Sequence, residues 1–233
     1  MLHESRGGEG RRPVEAESGL PVAVCGRIGP DPVQSTPSQS TPLSSSSDLE
    51  RAGYAIAARR RQHSGAFVEV LISPVTPADI GAVAALARVV WQQTYPGIIS
   101  QEQIDFMLEQ RYDPSRMHQE LAIPGIWWDM ATLDGELAGF SSCLITAAGE
   151  MKIDKIYVDS RRQRIGVGAR LIDQVSGRAL ENGCSTLILA VNKGNEQAIA
   201  AYRKHGFAVR EAVCVDIGNG FVMDDFIMAK SLF

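Results

Sequence analysis

Residues 163–171 read QRIGVGARL. Two glycines stand one residue apart, after the apolar stretch IDKIYV and ahead of a helical pattern. Glycine has no Cβ, so such a loop lets backbone N–H groups approach a ligand closely. At the mouth of a helix, those groups and the helix dipole favour an anion, and a phosphate in particular. Three glycine loops compete for this reading. A P-loop needs GxxxxGK[ST], and no Lys-Ser or Lys-Thr follows a suitably placed glycine. The dinucleotide fingerprint needs GxGxxG, and Leu171 stands where its third glycine belongs. That loop also comes late in the chain, after three antiparallel-looking strands. The pattern that fits is Gln163-x-x-Gly166-x-Gly168, closing a strand and opening a helix. An ordinary strand-to-helix turn is the plain alternative for the loop taken alone.

Working outward, hydrophobic periodicity and turn residues give the rest of the order. FVEVLISPV is a β-rich run, and Thr76-Pro77-Ala78-Asp79 opens a helix. Ser100-Gln101-Glu102-Gln103 is a second capping box, and a short third helix covers residues 115–121. Strands IWWDMATL and ELAGFSSCLI flank Asp134-Gly135, a tight hairpin signal. MKIDKIYVD follows after AAGE. The helix after the glycines ends near Gly183, STLILAV is a buried strand, and EQAIAAYRKHG is a helix stopped at Gly206. Two last strands pair through Gly218-Asn219-Gly220. The order is βααα-βββ-α-β-α-ββ. It predicts a mixed α/β (α+β) domain around a mostly antiparallel central sheet flanked by helices.

Composition changes near residue 67. Residues 1–66 are rich in Ser, Pro and Gly and include QSTPSQSTPLSSSS, with little to bury against the entropy of ordering. They are expected to form a disordered extension, with the folded domain spanning 67–233. The net charge of -4 argues against a general nucleic-acid binder. No apolar run reaches membrane-helix length, and the N-terminus has no secretory h-region. The four cysteines are widely spaced with no CxxC pair, so neither zinc nor a disulfide framework is indicated. A reducing cytoplasm is the expected compartment.

Strand IDKIYV, loop QRIGVG, strand LILAV and then Asn195-x-x-Ala198-x-x-x-Tyr202-x-x-x-Gly206-Phe207 resemble the acetyl-CoA core of the GNAT superfamily of N-acetyltransferases. The core covers about 153–207, and the surrounding elements fit the same fold. The resemblance implies a GNAT-like acyl-CoA N-acyltransferase fold with acetyl-CoA as cosubstrate. The loop residues Gln163, Arg164, Ile165, Gly166, Val167, Gly168 and Ala169 are then expected to bind its pyrophosphate. It further implies that the strand before the loop splays from the next one. The pantetheine arm would bond there to the main chain of Ile156 and Val158. A backbone N–H near Ile156 would polarise the thioester carbonyl. Plain core packing is the alternative for both side chains. Asn195 is expected beside the cofactor or as a simple helix cap, and Ala198 as a small residue where the cofactor passes. Tyr202 is the expected proton donor to the departing thiolate, its phenol having a reference pKa near ~10 against ~8.5 for a thiol. A packing role is the alternative.

Asp154 lies two residues before Ile156, which on a regular strand places it on the same face. It is the expected base, directly or through a water. Glu150 is second, and water alone or a surface-acid role for Asp154 stays open. Arg161, Arg162, Arg164 and Arg170 crowd the loop without an order of importance. Acceptor specificity is expected from WQQTYPGIISQEQIDFML and DIGNGFVMDDF, which look like those of small-molecule and polyamine acetyltransferases. From residue 67 onward there are 15 basic and 20 acidic residues. Glu102, Asp105, Glu109, Asp224 and Asp225 are candidates to attract a cationic amine, or solvated faces. Trp91, Tyr95, Trp127 and Trp128 are candidate cleft aromatics or core.

The expected activity is therefore acetyl transfer from acetyl-CoA to a primary amine in a direct ternary complex, without a metal. A protein N-terminal or lysine acetyltransferase and a non-catalytic acyl-CoA sensor are the alternatives. Nucleic-acid binding through the tail is a third. Membrane association is not expected, and a homodimer is left open.

Overall fold

The computed structural model describes residues 69–233. The extension 1–66 and its boundary at residue 67 lie outside the described residues. Strand β1 (Val70–Pro74) leads to Thr76, whose N–H and hydroxyl both donate to the Asp79 carboxylate, at 2.8 and 2.6 Å. This box fixes the turn into α1 (Ile80–Thr94). Helix α2 (Gln101–Tyr112) is capped by Ser100, whose hydroxyl accepts from the Gln103 N–H at 3.2 Å. The reciprocal half of that expected box is not made. The Gln103 amide instead donates to the Val222 carbonyl, at 2.7 Å. Asp113 caps α3 (Pro114–Leu121) through the N–H groups of Ser115 and Arg116.

Strands β2 (Ile126–Leu133), β3 (Glu136–Ala147) and β4 (Glu150–Val158) form a meander. Asp134 and Gly135, at φ 53° and 79°, make the tight turn the sequence predicts. Then come α4 (Val167–Glu181), β5 (Thr186–Asn192), α5 (Glu196–Lys204), β6 (Ala208–Gly218) and β7 (Phe221–Ser231). The seven strands form one sheet in the order β1-β2-β3-β4-β5-β7-β6. Every pair is antiparallel except β4 with β5. The element order and the mixed, mostly antiparallel sheet agree with the sequence reading.

Both faces of the sheet are covered. On one, Val83, Ala87 and Trp91 of α1 and Ile104 and Leu108 of α2 pack with Trp128 and Phe140 of the sheet. On the other, Ile172, Val175 and Ala179 of α4 pack on Met151, Ile153, Leu187, Leu189 and Met228. Gly139 of β3 faces α4 at a tight point. A Cβ there would lie 2.7 Å from the Tyr157 carbonyl oxygen and 3.1 Å from a Val167 methyl. No helix among the described residues is long and apolar enough to cross a membrane.

Candidate active site

The centre of the sheet is open. Strands β4 and β5 pair only from Glu150↔Thr186 to Ile153↔Leu189, although β4 continues to Val158 and β5 to Asn192. Beyond Ile153 each strand stays bonded only on its outer side, β4 to β3 and β5 to β7. The Asp159 N–H donates to the Ala138 carbonyl of β3 at 2.9 Å. Strand alternation from that bond turns the N–H groups of Ile156 and Val158 away from β3 and into the gap. The gap therefore carries main-chain donors with no strand to receive them.

A bulge marks where the gap begins. Ile153 pairs with Cys143 and Lys155 with Ser142, so Asp154 has no partner across the ladder. The extra residue reverses the side-chain alternation. Met151 and Ile153 pack on the α4 face, and so do Ile156 and Val158 beyond the bulge. Asp154 thus faces α2, opposite to Ile156, which corrects the expectation that the two share a face. Its carboxylate is bonded to Arg111 of α2 at 2.6 Å and to Lys155 at 2.7 Å, with Lys152 at 3.3 Å. Burial alone would raise its carboxyl pKa. The charges of Lys155 and Arg111 outweigh that and hold it well below the usual carboxylate range. Such a group is a poor proton acceptor. Glu150 sits at the paired end of β4, bonded to Thr146 and Arg210, so it is not brought to the gap.

The glycine loop closes one end of the gap. Gly166 has φ 100°, a left-handed conformation that favours glycine, and Arg164 beside it has φ 64°. A Cβ on Gly168 would meet only Val158, at 3.7 Å, so the protein's own packing does not require glycine there. Val167 is core, whereas Arg164, Ile165 and Gly166 are exposed. The structure ranks two of the arginines. Arg161 is bound to Asp159 and Arg162 to Glu136. The Gln163 side-chain oxygen Oε1 accepts from the Gln197 side-chain amide at 3.0 Å, tying the loop to α5. Between them lies a cleft of about 430 Å³, lined also by Gln93, Ser160, Gly194 and Asn195. Asn195 is a helix cap, its side-chain oxygen accepting from the Ala198 N–H at 3.1 Å. Ala198 packs against the α4-side core.

Tyr202 of α5 packs edge-on against Phe207, with ring centroids 5.9 Å apart. Burial pushes its phenol up to about 12, so it stays protonated near neutrality. It lies close enough to Tyr95 and Tyr157 to add to the rise of their phenols, which burial begins. One strand beyond β5 is Asp225 of β7, paired with Asn192 at the end of β5. It is 9% exposed, and its Oδ1 has no hydrogen-bond partner. Burial first, then the charge of Asp224, raises its carboxyl to about 6, against the opposing pull of Lys152 and Lys193.

A scan against protein-family models matches residues 88–207 to the acetyltransferase (GNAT) family. The chain belongs to that family. It is 26% identical over 170 residues to an uncharacterised N-acetyltransferase of Lactobacillus delbrueckii subsp. lactis, spanning 70% of this chain and 98% of that protein. It is 23% identical over 161 residues to the spermidine N(1)-acetyltransferase of Thermoplasma acidophilum, spanning 67% and 97%. Among solved structures, the PaiA N-acetyltransferase of Thermoplasma acidophilum in complex with coenzyme A shares the fold. Its TM-score is 0.61 at 24% identity, over 70% of this chain and 99% of that one. A GCN5-related N-acetyltransferase from Rhodopseudomonas palustris gives 0.60 at 25%, over 72% and 99%.

As a GNAT enzyme the chain is an acetyltransferase with acetyl-CoA as cosubstrate. The gap and loop fit that molecule: unpaired main-chain donors beside a slot, and a glycine turn at a helix mouth. A second cleft, of about 440 Å³, is walled by Gly97, Ile98, Gln103, Lys193 and Asp224. For three of the four candidate aromatics the core alternative holds. Trp91, Tyr95 and Trp128 are buried in the helical core, and Trp127 lies on the α4 face beneath Arg178. Of the expected acids, Glu102 and Asp105 are exposed on α2, and Asp105 receives Gln92 and Gln101. Sequence reasoning grouped Asp225 with these acids. Its one local signal was the Asp224-Asp225 pair in a strand, where alternation must turn one of the two carboxylates inward.

Proposed function

We propose that the chain moves the acetyl group of acetyl-CoA directly to a primary amine of a small cationic acceptor, a polyamine being the favoured class. The carrying observation is the open end of β4–β5, with backbone donors along β4 and the protonated Tyr202 phenol near enough to Tyr157 of that strand to influence it. The C–N bond forms as the C–S bond breaks. The N–H groups of Ile156 and Val158 align the thioester and stabilise negative charge developing on its oxygen. The N–H groups from Arg164 to Ala169 hold the pyrophosphate, with Asn195 and Ala198 along its path. Tyr202 supplies a proton to the sulfur.

Direct transfer is favoured because the nearest buried thiol is inert. Burial pushes Cys143 up to about 11, only partly offset by Arg178, and a neutral thiol is a weak nucleophile. A small acceptor is favoured by the shape of the second cleft. The β6–β7 hairpin leans onto α2 through Gln103 with Val222 and through Phe106 with Phe221, ring centroids 5.5 Å apart. The remaining volume is in the range of small-molecule sites. The relative that acetylates spermidine supports the same choice.

The test is coenzyme A thiol release by the full chain with spermidine, putrescine, n-butylamine and a peptide with a free N-terminus. Turnover of the polyamines supports the proposal. Turnover of the peptide alone overturns the small-acceptor reading in favour of protein acetylation. Thermal stabilisation by acetyl-CoA without any turnover favours a sensor.

A further inference from the structure

Asp225 is a buried carboxylate with an unpartnered oxygen. A folded chain tolerates such a group at a cost, because desolvation of a charge is repaid only by partners. The contrast with the other acids of this region is direct. Asp154 is bonded to Arg111 and Lys155, and Asp224 to Lys193. Two lysines are near enough to lower the pKa of Asp225, yet neither forms an ion pair with it. Lys152 is turned to Asp154, and Lys193 to Asp224 and the Phe226 ring.

Its place in the fold is equally specific. Asn192, its partner on β5, lies beyond the last β4–β5 pair, so Asp225 sits one strand away from the open end of the gap, across β5. The Gln103 amide approaches the sulfur of Met223, two residues earlier on β7, at 3.5 Å. Alternation puts Met223 and Asp225 on the same face, the one that α1 and α2 cover. The groups facing Asp225 are Lys152 of β4, Lys193 after β5, Asp224 beside it and Tyr95 at the end of α1. Tyr95 in turn interacts with Tyr202. Tyr95 is therefore within electrostatic reach of both the carboxylate and the proposed acid, and Asn192 and Asp224, the partner and the neighbour of Asp225, line the second cleft.

We propose that Asp225 receives the ammonium group of the acceptor and takes the proton whose loss frees the nitrogen lone pair, which makes it the base of the reaction. This rests on the acetyl-transfer reading above. The protons balance as follows. One passes from the ammonium to Oδ1 of Asp225, and the freed lone pair forms the C–N bond. As the C–S bond breaks, the sulfur takes the Tyr202 proton, and a second proton from the nitrogen restores the phenol. Asp225 then releases its proton to solvent. The products are the amide, coenzyme A and one proton. A base poised near 6 suits this work at neutral pH better than one held far below the carboxylate range.

The experiment compares the full chain with Asp225→Asn and Asp225→Glu, using acetyl-CoA with spermidine and n-butylamine from pH 5 to 9. For Asp225→Asn, kcat/KM is expected to fall about 100-fold or more. Its acetyl-CoA Kd by calorimetry is expected to hold and its melting temperature not to fall, which a merely structural residue would not allow. The fall in kcat/KM below about pH 6 in the unaltered chain is expected to vanish in the variant. Asp225→Glu keeps the charge and is expected to recover at least a tenth of the rate. Retention of kcat/KM within about threefold by Asp225→Asn, or equal rates for the Asn and Glu variants, overturns the assignment while leaving amine acetylation standing. An unaltered chain that turns over neither amine removes the assignment and the small-acceptor reading together.

Discussion

Asp154 and Asp225 look alike in outline. Both project from strands of one sheet toward the α1–α2 side, and both are nearly enclosed, at 11% side-chain and 9% residue exposure. They differ in company. Asp154 joins Arg111, Lys152, Lys155 and, through Lys155, Glu120 in one network that pins α2 and α3 to the β4 bulge. Asp225 ends in an oxygen with no partner. The first carboxylate is part of the framework. The second is left for something the folded chain does not contain. Burial alone does not separate a structural acid from a reactive one; the count and placement of counter-charges does.

The comparison is broken most forcefully at Asp154. Asp154→Asn removes the nearer of the two carboxylates bonded to Lys155, whose side chain is only 2% exposed, and the one bonded to Arg111. Loss of one partner from a buried ion pair costs about 3–5 kcal/mol, and a drop of that order is expected in denaturant unfolding. The pH signature follows from its lowered pKa. The stability Asp154 contributes is complete above the unfolded carboxyl value of about 4 and is lost as pH falls below it. The variant should lose this acid limb.

Next in size is Tyr202→Phe, which tests whether the α5 phenol is chemical as well. Turnover should fall about 100-fold, or roughly 2.7 kcal/mol, with acetyl-CoA affinity unchanged by calorimetry. An unchanged rate would leave Tyr202 as packing against Phe207. Gly166→Ala probes the cosubstrate end, away from both aspartates. Its φ of 100° strains any side chain, by about 1–3 kcal/mol. Weaker acetyl-CoA binding with an unchanged pH profile is the expected result.

The smallest effect is on the stability of Asp225→Asn. Its folded pKa is raised, so the carboxylate opposes folding above about pH 6 and is relieved as pH falls toward 4. Thermal melts of the unaltered chain should show this relief, and the variant should not. At pH 7 the variant should gain on the order of 1 kcal/mol, since the amide also lacks a partner. A destabilised variant would place Asp225 with Asp154 as framework.

Much of this was legible in the sequence. Many elements announced themselves through a cap or turn residue, as with Asp134-Gly135 or Gly206, and the glycine loop carried the family together with the Asn195-to-Phe207 motif downstream. What failed was whatever depends on the far side of the fold. Strand parity put Asp154 beside Ile156, and a bulge has no local signature in MKIDKIYV. Gln103 satisfies the capping-box spacing but is claimed by Val222, 119 residues away. Trp91 and Trp128 were candidates for a cleft until helix packing buried them. The lone oxygen of Asp225 depends on where Lys152 and Lys193 turn, and no window of sequence records that.

Gly139 carries one more lesson. The missing methyl on β3 acts as a spacer gauge, setting how near the first turn of α4 comes to the end of β4. The mouth proposed for the diphosphate is therefore dimensioned from a strand outside the glycine loop. Anyone retuning nucleotide preference in this scaffold should hold position 139 fixed and vary the loop. One added carbon there would shift the whole doorway while every residue lining it stayed the same.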